Sequence, residues 1–153
     1  MAITLNVNGK RRSSPAAPGT PLLYVLRNDM EINSAKYGCG MAQCGACTVL
    51  MDGKPIRSCV TPAAAAAKAQ ITTLEGLGTP DKLHVLQAAF IAEQAAQCGY
   101  CISGMIMSAK GLLDTNKNPS EAEIRQALAG NLCRCGTHSR IIRAIQRAAG
   151  ETA

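Results

Sequence analysis

Eleven residues constrain this chain more than any other stretch: Tyr37-Gly38-Cys39-Gly40-Met41-Ala42-Gln43-Cys44-Gly45-Ala46-Cys47. Three cysteines and three glycines share this segment, and Cys59 follows a short way on. The spacing is C-x4-C-x2-C with a distant fourth cysteine, which can bring four thiolates around a two-iron sulfide core. Backbone N–H groups must then approach the sulfurs to stabilise their negative charge. Glycine permits that approach and supplies left-handed turns without a Cβ penalty. Zinc is the competing metal, but structural zinc sites usually present two Cys or Cys/His pairs, so it ranks behind iron–sulfur. Buried inert cysteines rank further behind.

The 153 residues allow one compact unit or two very small domains. Their eight cysteines fall into two sets of four: Cys39, Cys44, Cys47 and Cys59, then Cys98, Cys101, Cys133 and Cys135. A secreted disulfide framework would call for an apolar leader, whereas Met1–Gly9 alternates apolar and polar residues. Ala63–Ala67 is too short for a membrane span and is followed by Lys68. The expectation is therefore reduced, metal-serving thiols in the cytoplasm, with membrane association or export only through a partner subunit. No direct membrane insertion is expected.

A formal charge of +6 would ordinarily raise nucleic acid as a partner. That count treats every cysteine as neutral. Two oxidised clusters at about −2 each would bring +6 down to about +2, so the basic excess offsets the cofactors. One Phe, three Tyr and no Trp also leave no stacking platform for bases. No nucleic-acid partner is expected.

In chain order, Ile3–Val7 reads as a strand, Asn8-Gly9 as a tight turn, and Lys10–Ser14 as the return strand. Thr20 and Pro21 read as N-cap and first residue of a helix ending near Asp29, with Leu22, Leu23 and Leu26 as its apolar stripe. A second hairpin is predicted over Thr48–Met51, Asp52-Gly53 and Lys54–Cys59, and a short last strand over Ile71–Leu74. Two hairpins and one crossing helix fit a β-grasp, ferredoxin-like domain over residues 1–76.

Gly76–Pro80 breaks the pattern, and residues 77–153 read as a four-helix domain. Leu83–Ala96 places Leu83, Leu86, Phe90 and Ile91 near one face, with Val85 and Ala89 at its edge. A second helix is predicted from Cys101 to Asp114, carrying Ile102, Met105, Ile106, Leu112 and Leu113. A third opens on a Ser120/Glu123 capping box and runs through Leu128. A last helix is capped by Thr137 or Ser139 and turns Ile141, Ile142 and Ile145 inward. Arg140, Arg143 and Arg147 form a row that reads as a solvated face before a docking surface. The fold class is thus α+β. The loops Cys98-Gly-Tyr-Cys101 and Cys133-Arg-Cys135 each precede a helix, whose N-terminus favours a thiolate. Zinc and a Cys98–Cys101 redox disulfide are the alternatives for this half.

These motifs together resemble, from end to end, the small iron–sulfur subunit of the molybdenum hydroxylases, the xanthine oxidase family. The matching segments are Gly38-Cys39-Gly40, Cys44-Gly45-Ala46-Cys47-Thr48-Val49, Gln97-Cys98-Gly99-Tyr100-Cys101 and Asn131-Leu132-Cys133-Arg134-Cys135. The resemblance implies two 2Fe–2S clusters, a distal one in the β-grasp domain and a buried proximal one in the helical domain. It implies a large catalytic partner subunit that binds molybdopterin cytosine dinucleotide, and no catalytic residue in this chain. Gln97 matches a residue that contacts the pterin, and Cys135 a cluster ligand lying against the pterin edge. Gly40 and Gly45 match glycines that wrap the distal cluster. The proximal cluster is then the first to accept electrons and the distal one passes them outward. Tyr100 and Arg134 read as loop packing and charge compensation, His84 as a helix-start residue, His138 as a cap, and the methionines as core.

Many members with a separate flavin subunit read Cys-Arg-Cys-Thr-Gly-Tyr, whereas this chain reads Cys133-Arg134-Cys135-Gly136-Thr137-His138. That version is more similar to the small subunits of isoquinoline 1-oxidoreductase and nicotinate dehydrogenase, with bacterial aldehyde dehydrogenases close by. It implies an N-heterocycle or aldehyde substrate, and a cytochrome or other acceptor in place of a flavin subunit. The other class of function is a free-standing ferredoxin-like carrier or metal-binding module.

Overall fold

A computed structural model describes residues 2–152, with side chains described as far as Gly150. Its first half is a five-stranded sheet of β1 (Ile3–Val7), β2 (Lys10–Ser14), β3 (Thr48–Met51), β4 (Lys54–Arg57) and β5 (Gln70–Thr72). The spatial order is β2-β1-β5-β3-β4, with two antiparallel hairpins on either side of β5. β5 runs parallel to β1 and antiparallel to β3. Both hairpins turn through residue pairs with positive φ, Asn8-Gly9 (53° and 75°) and Asp52-Gly53 (49° and 79°). This is the twist-matched two-residue turn those dipeptides favour. β1 buries Ile3, Leu5 and Val7 in strict alternation, as its sequence pattern requires.

α1 (Leu22–Tyr24) crosses the sheet and runs on as a π-helical stretch, Val25–Asp29. Its start differs from expectation. Thr20 makes no side-chain cap, and Pro21 is extended at φ −56° and ψ 134°. The reason lies in the backbone partners: Leu22 N donates to Thr61 O at 2.8 Å and Ala63 N to Thr20 O at 2.8 Å. The 61–63 segment thus supplies what a capping hydroxyl would. Leu22, Leu23 and Leu26 are fully buried with Leu5 and Ile71 in the first core. Two strand ends also differ. β5 stops before Thr73, whose N–H and hydroxyl are taken by the Asn8 side chain at 2.9 Å each. β4 stops at Arg57, whose carbonyl accepts from Val60 N and from the Thr61 hydroxyl.

The second half packs α2 (Val85–Ala92), α3 (Ile102–Thr115), α4 (Glu121–Ala127) and α5 (His138–Thr152) around one core. α2 is shorter than the sequence suggested. His84 caps it, accepting from Leu86 N at 3.2 Å, while the Gln87 side chain accepts from His84 N at 2.9 Å. The inward face is therefore Leu86, Ala89 and Phe90, and Leu83 and Ile91 lie exposed, contrary to the face expected. The Ser120/Glu123 capping box opens α4 as predicted, and α5 buries Ile141, Ile142 and Ile145. The arginine row of α5 is exposed but not merely solvated. Arg143 and Arg147 pair with Glu93 at 3.4 and 3.3 Å, and Arg140 donates to Gln94 O, tying α5 to the end of α2.

α3 joins the two halves. It lies against the β3–β4 hairpin through Gly104 and Gly111, seven residues apart and so on one helix face. A methyl group at Gly104 would strike the Gly45 carbonyl, and one at Gly111 the Pro55 ring. Between them Ser108 donates to Asn131 at 2.9 Å.

Candidate metal centres

The first cysteine set is shaped by its loop backbone. Gly40 and Ala42 take left-handed φ of 70° and 62°, which turns successive N–H groups inward. Cys39 Sγ accepts from the amides of Met41 (3.4 Å), Gln43 (3.2 Å) and Cys44 (3.3 Å). Cys44 Sγ in turn accepts from Cys39 N at 3.4 Å. The amides of Met41 and Cys44 pull the Cys39 thiol down to about 6. Gly38 leaves room for the second sulfur, since a Cβ there would sit 2.6 Å from Cys44 Sγ. Cys47 and Cys59 are buried beneath the loop, and burial pushes the Cys47 thiol up to about 11. Ser58 steadies this pair by donating its hydroxyl to Cys47 O at 2.7 Å.

The second set is built at two helix starts. Cys101 is the N-cap residue of α3, yet its side chain makes no capping bond. Burial carries its thiol up to about 12, outweighing the expected pull of the helix N-terminus. Cys133 behaves oppositely. Burial raises it, but hydrogen bonds from Thr137 bring it down to about 7, with Sγ 3.2 Å from the Thr137 hydroxyl. Gln97 and Cys98 are both exposed, and Cys135 is partly so. Burial of this second set therefore does not come from this chain's own helices alone. The helices shield one side of it, and the side carrying Gln97, Cys98 and Tyr100 is open to solvent.

No disulfide joins any of the eight cysteines, Cys98 and Cys101 included. Among the described residues no group of three or more His, Cys, Asp or Glu is placed to hold one metal ion. A two-iron core asks for something else: bridging sulfides complete each iron, which takes two protein thiolates. Paired sulfurs are what the chain offers. Cys39 lies with Cys44, Cys47 with Cys59, and Cys101 with Cys133. The residues fit a binuclear cluster in the first half, and in the second the Cys101–Cys133 pair supplies one half of such a site.

The two sets are joined by a polar seam that sequence reasoning missed. Leu132 N donates to Cys44 O at 2.9 Å. Asn131, 4% exposed, donates to Gly45 O at 3.3 Å and accepts from Ser108. Gly45, with φ 75°, is held to glycine from this side as well, since a Cβ would strike Asn131 and come within 2.6 Å of Gly130 O. Arg57 reaches across from β4 to Thr48 Oγ1 (2.6 Å), Gly130 O (2.9 Å) and Asn131 Oδ1 (3.4 Å). The one signal in the sequence was the pair of glycines, Gly104 and Gly111, inside an otherwise helical pattern. Tyr100 has a specific role too: its hydroxyl donates to Tyr37 O, and Tyr37 stacks on Tyr24 with ring centroids 6.1 Å apart.

Comparison with known proteins agrees with this geometry. A family described as the 2Fe-2S iron-sulfur cluster binding domain matches residues 5–74, and one described as the 2Fe-2S binding domain matches residues 73–146. The chain is 59% identical to one of the subunits of nicotinate dehydrogenase from Pseudomonas putida, over 96% of this chain and 94% of that one. It is 53% identical to the alpha subunit of isoquinoline 1-oxidoreductase from Brevundimonas diminuta, over 87% of each. The crystal structure of the aldehyde oxidoreductase from Desulfovibrio desulfuricans ATCC 27774 superposes with a TM-score of 0.94 at 45% identity, covering 98% of this chain but 17% of that longer one. Two iron–sulfur domains in succession, over a β-grasp sheet and a helical bundle, together with relatives 59% and 53% identical over most of both chains, place the chain in the family of 2Fe–2S electron-transfer subunits of the molybdenum hydroxylases.

Proposed function

We propose that this chain holds a distal cluster on Cys39, Cys44, Cys47 and Cys59 and a proximal one on Cys98, Cys101, Cys133 and Cys135. The domains divide at residues 1–76 and 77–153. When bound, the clusters supply one-electron acceptor sites in series. The backbone contact between Cys44 and Leu132 ties the two ligand loops together.

The observation that carries the partner is the open side of the second set. Cys98 is exposed, with Gln97 and the half-exposed ring of Tyr100 beside it. A solitary carrier would leave that cluster to water and oxygen. A large molybdopterin-binding subunit covers it instead, and in the aldehyde oxidoreductase the matching segment is a small part of a much longer chain. Gln97 and Cys135 meet the pterin of a molybdopterin cytosine dinucleotide there, while Gly40 and Gly45 shape the loop of the other cluster. The substrate is an N-heterocycle of nicotinate or isoquinoline type, or an aldehyde, and the final acceptor is a cytochrome or similar carrier. No helix among the described residues is long and apolar enough to cross a membrane; we place the assembly in the cytoplasm unless a partner carries it elsewhere.

The test is co-purification under anaerobic conditions. The chain should hold about four irons and four acid-labile sulfides, seen as two EPR signals on reduction, and should come with a molybdopterin-containing subunit. About two irons per chain, or stoichiometric zinc, would overturn it.

A further inference from the structure

Arg57 stands at a seam where the two cysteine sets meet. It follows the Cys47–Thr48 strand across the hairpin, precedes Cys59 by two residues, and touches the segment leading into Cys133. Its guanidinium is half-buried and makes contacts on both sides of the seam: Thr48 Oγ1 at 2.6 Å on the sheet side, Gly130 O at 2.9 Å and Asn131 Oδ1 at 3.4 Å on the helical side. Those partners bear on the cluster loops themselves. Thr48 donates to Gly45 O at 2.6 Å, Asn131 donates to the same carbonyl at 3.3 Å, and Gly45 follows Cys44. All three acceptors of Arg57 are neutral oxygens, and among the described residues no salt bridge to a carboxylate involves it. A planar fork with five donors suits such a three-way contact, and its charge is permanent.

We infer that Arg57 is a positioning residue shared by the two clusters: its fork fixes the spacing of the ligand loops, and its uncompensated positive charge raises the reduction potential of both. The inference rests on the two-cluster reading above. Each cluster gains a negative charge on reduction, so a fixed cation in a partly desolvated seam favours the reduced form. A lysine keeps the charge but cannot hold Thr48, Gly130 and Asn131 together. A glutamine keeps part of the hydrogen bonding and loses the charge. The two functions therefore separate by substitution.

The experiment is an EPR-monitored redox titration of the holo-complex for wild type, Arg57→Lys and Arg57→Gln. Arg57→Gln should lower both midpoints by about a tenfold shift in the equilibrium, about 59 mV for a one-electron couple. Arg57→Lys should keep both within about twofold, about 18 mV, while changing the magnetic interaction between the reduced clusters. Arg57→Gln leaving both midpoints within that twofold margin, or lowering only one, overturns the shared role. Where Arg57→Gln does not assemble, Asn131→Asp sets a carboxylate beside the guanidinium, at the loss of the amide's hydrogen bond to Gly45 O: both midpoints should fall, and unchanged midpoints overturn the inference. A wild-type protein with a single EPR signal would instead bring down the two-cluster reading, and this inference with it.

Discussion

Leu132 donates its backbone N–H to the carbonyl of Cys44 at 2.9 Å, joining a cysteine of the first set to the neighbour of a cysteine of the second. The side chain of Leu132 takes no part, since it is 61% exposed. Only a change that removes the N–H tests the contact. Leu132→Pro does so, and losing one backbone hydrogen bond here should cost about 1 kcal/mol. Both clusters should be retained, because no ligand changes, and transfer between them should slow. Rapid-freeze EPR after a single turnover measures that rate; an unchanged rate with the N–H gone would show that the contact serves geometry alone.

Gly104→Ala tests the seam from the other side. The added methyl meets the Gly45 carbonyl, which is backbone and cannot swing away as a side-chain end could. Overpacking of this kind costs about 1–3 kcal/mol, and each kcal/mol lowers the melting temperature by about 2–4 °C when the whole chain unfolds as one unit. Gly150→Ala, in open space on α5, should leave the melting temperature unchanged or slightly raised. Equal effects of the two substitutions would mean that α3 does not press on the cluster loop.

The thiols of the cluster-free protein should react in a fixed order. Cys39, held down to about 6 by backbone amides, is mostly thiolate at neutral pH, and Cys133 at about 7 is about half so. Cys47 and Cys101, pushed up to about 11 and about 12 by burial, stay protonated. An unfolded cysteine titrates at about 8.5. The stabilisation from Cys39 is thus present above that value and lost as pH falls through about 6. That from Cys47 is present below it and lost as pH rises through about 11. Alkylation at about pH 7.5 followed by peptide mapping should label Cys39 and Cys133 first. Early labelling of Cys47 would contradict the burial that sets its pKa.

Much of the architecture was legible in residue order because it is locally encoded. Asn8-Gly9 and Asp52-Gly53 fix both hairpins by their φ preferences, and the Ser120/Glu123 box fixes the start of α4. The two iron–sulfur domains were legible for the same reason, through the spacing of their cysteines. What escaped was set by partners distant in sequence. Thr20 looked like a cap but lost that role to the Thr61 carbonyl, and Ile91 looked buried until the His84 cap set the start of α2. Arg57 and Asn131 lie far apart in the chain, and neither belongs to a motif that would announce their contact.

Loss of the Gln97 side chain should separate assembly from turnover. Gln97 is exposed beside Cys98, so Gln97→Ala removes no core packing and no iron ligand. Iron content, both EPR signals and the melting temperature of the isolated chain should match wild type. The effect should emerge only in the complete enzyme, where the proposed contact between this amide and the pterin would form. A neutral hydrogen bond contributes about 1 kcal/mol, which is several-fold in rate if it acts on the limiting transfer. Single-turnover reduction with substrate locates the loss: the signal of the Cys98/Cys101/Cys133/Cys135 set should grow in more slowly, while its exchange with the other set proceeds at the wild-type rate. Unchanged turnover and cofactor retention would remove Gln97 from the contact surface. Reduction of the Cys39/Cys44/Cys47/Cys59 set ahead of the helical one would reverse the assigned order.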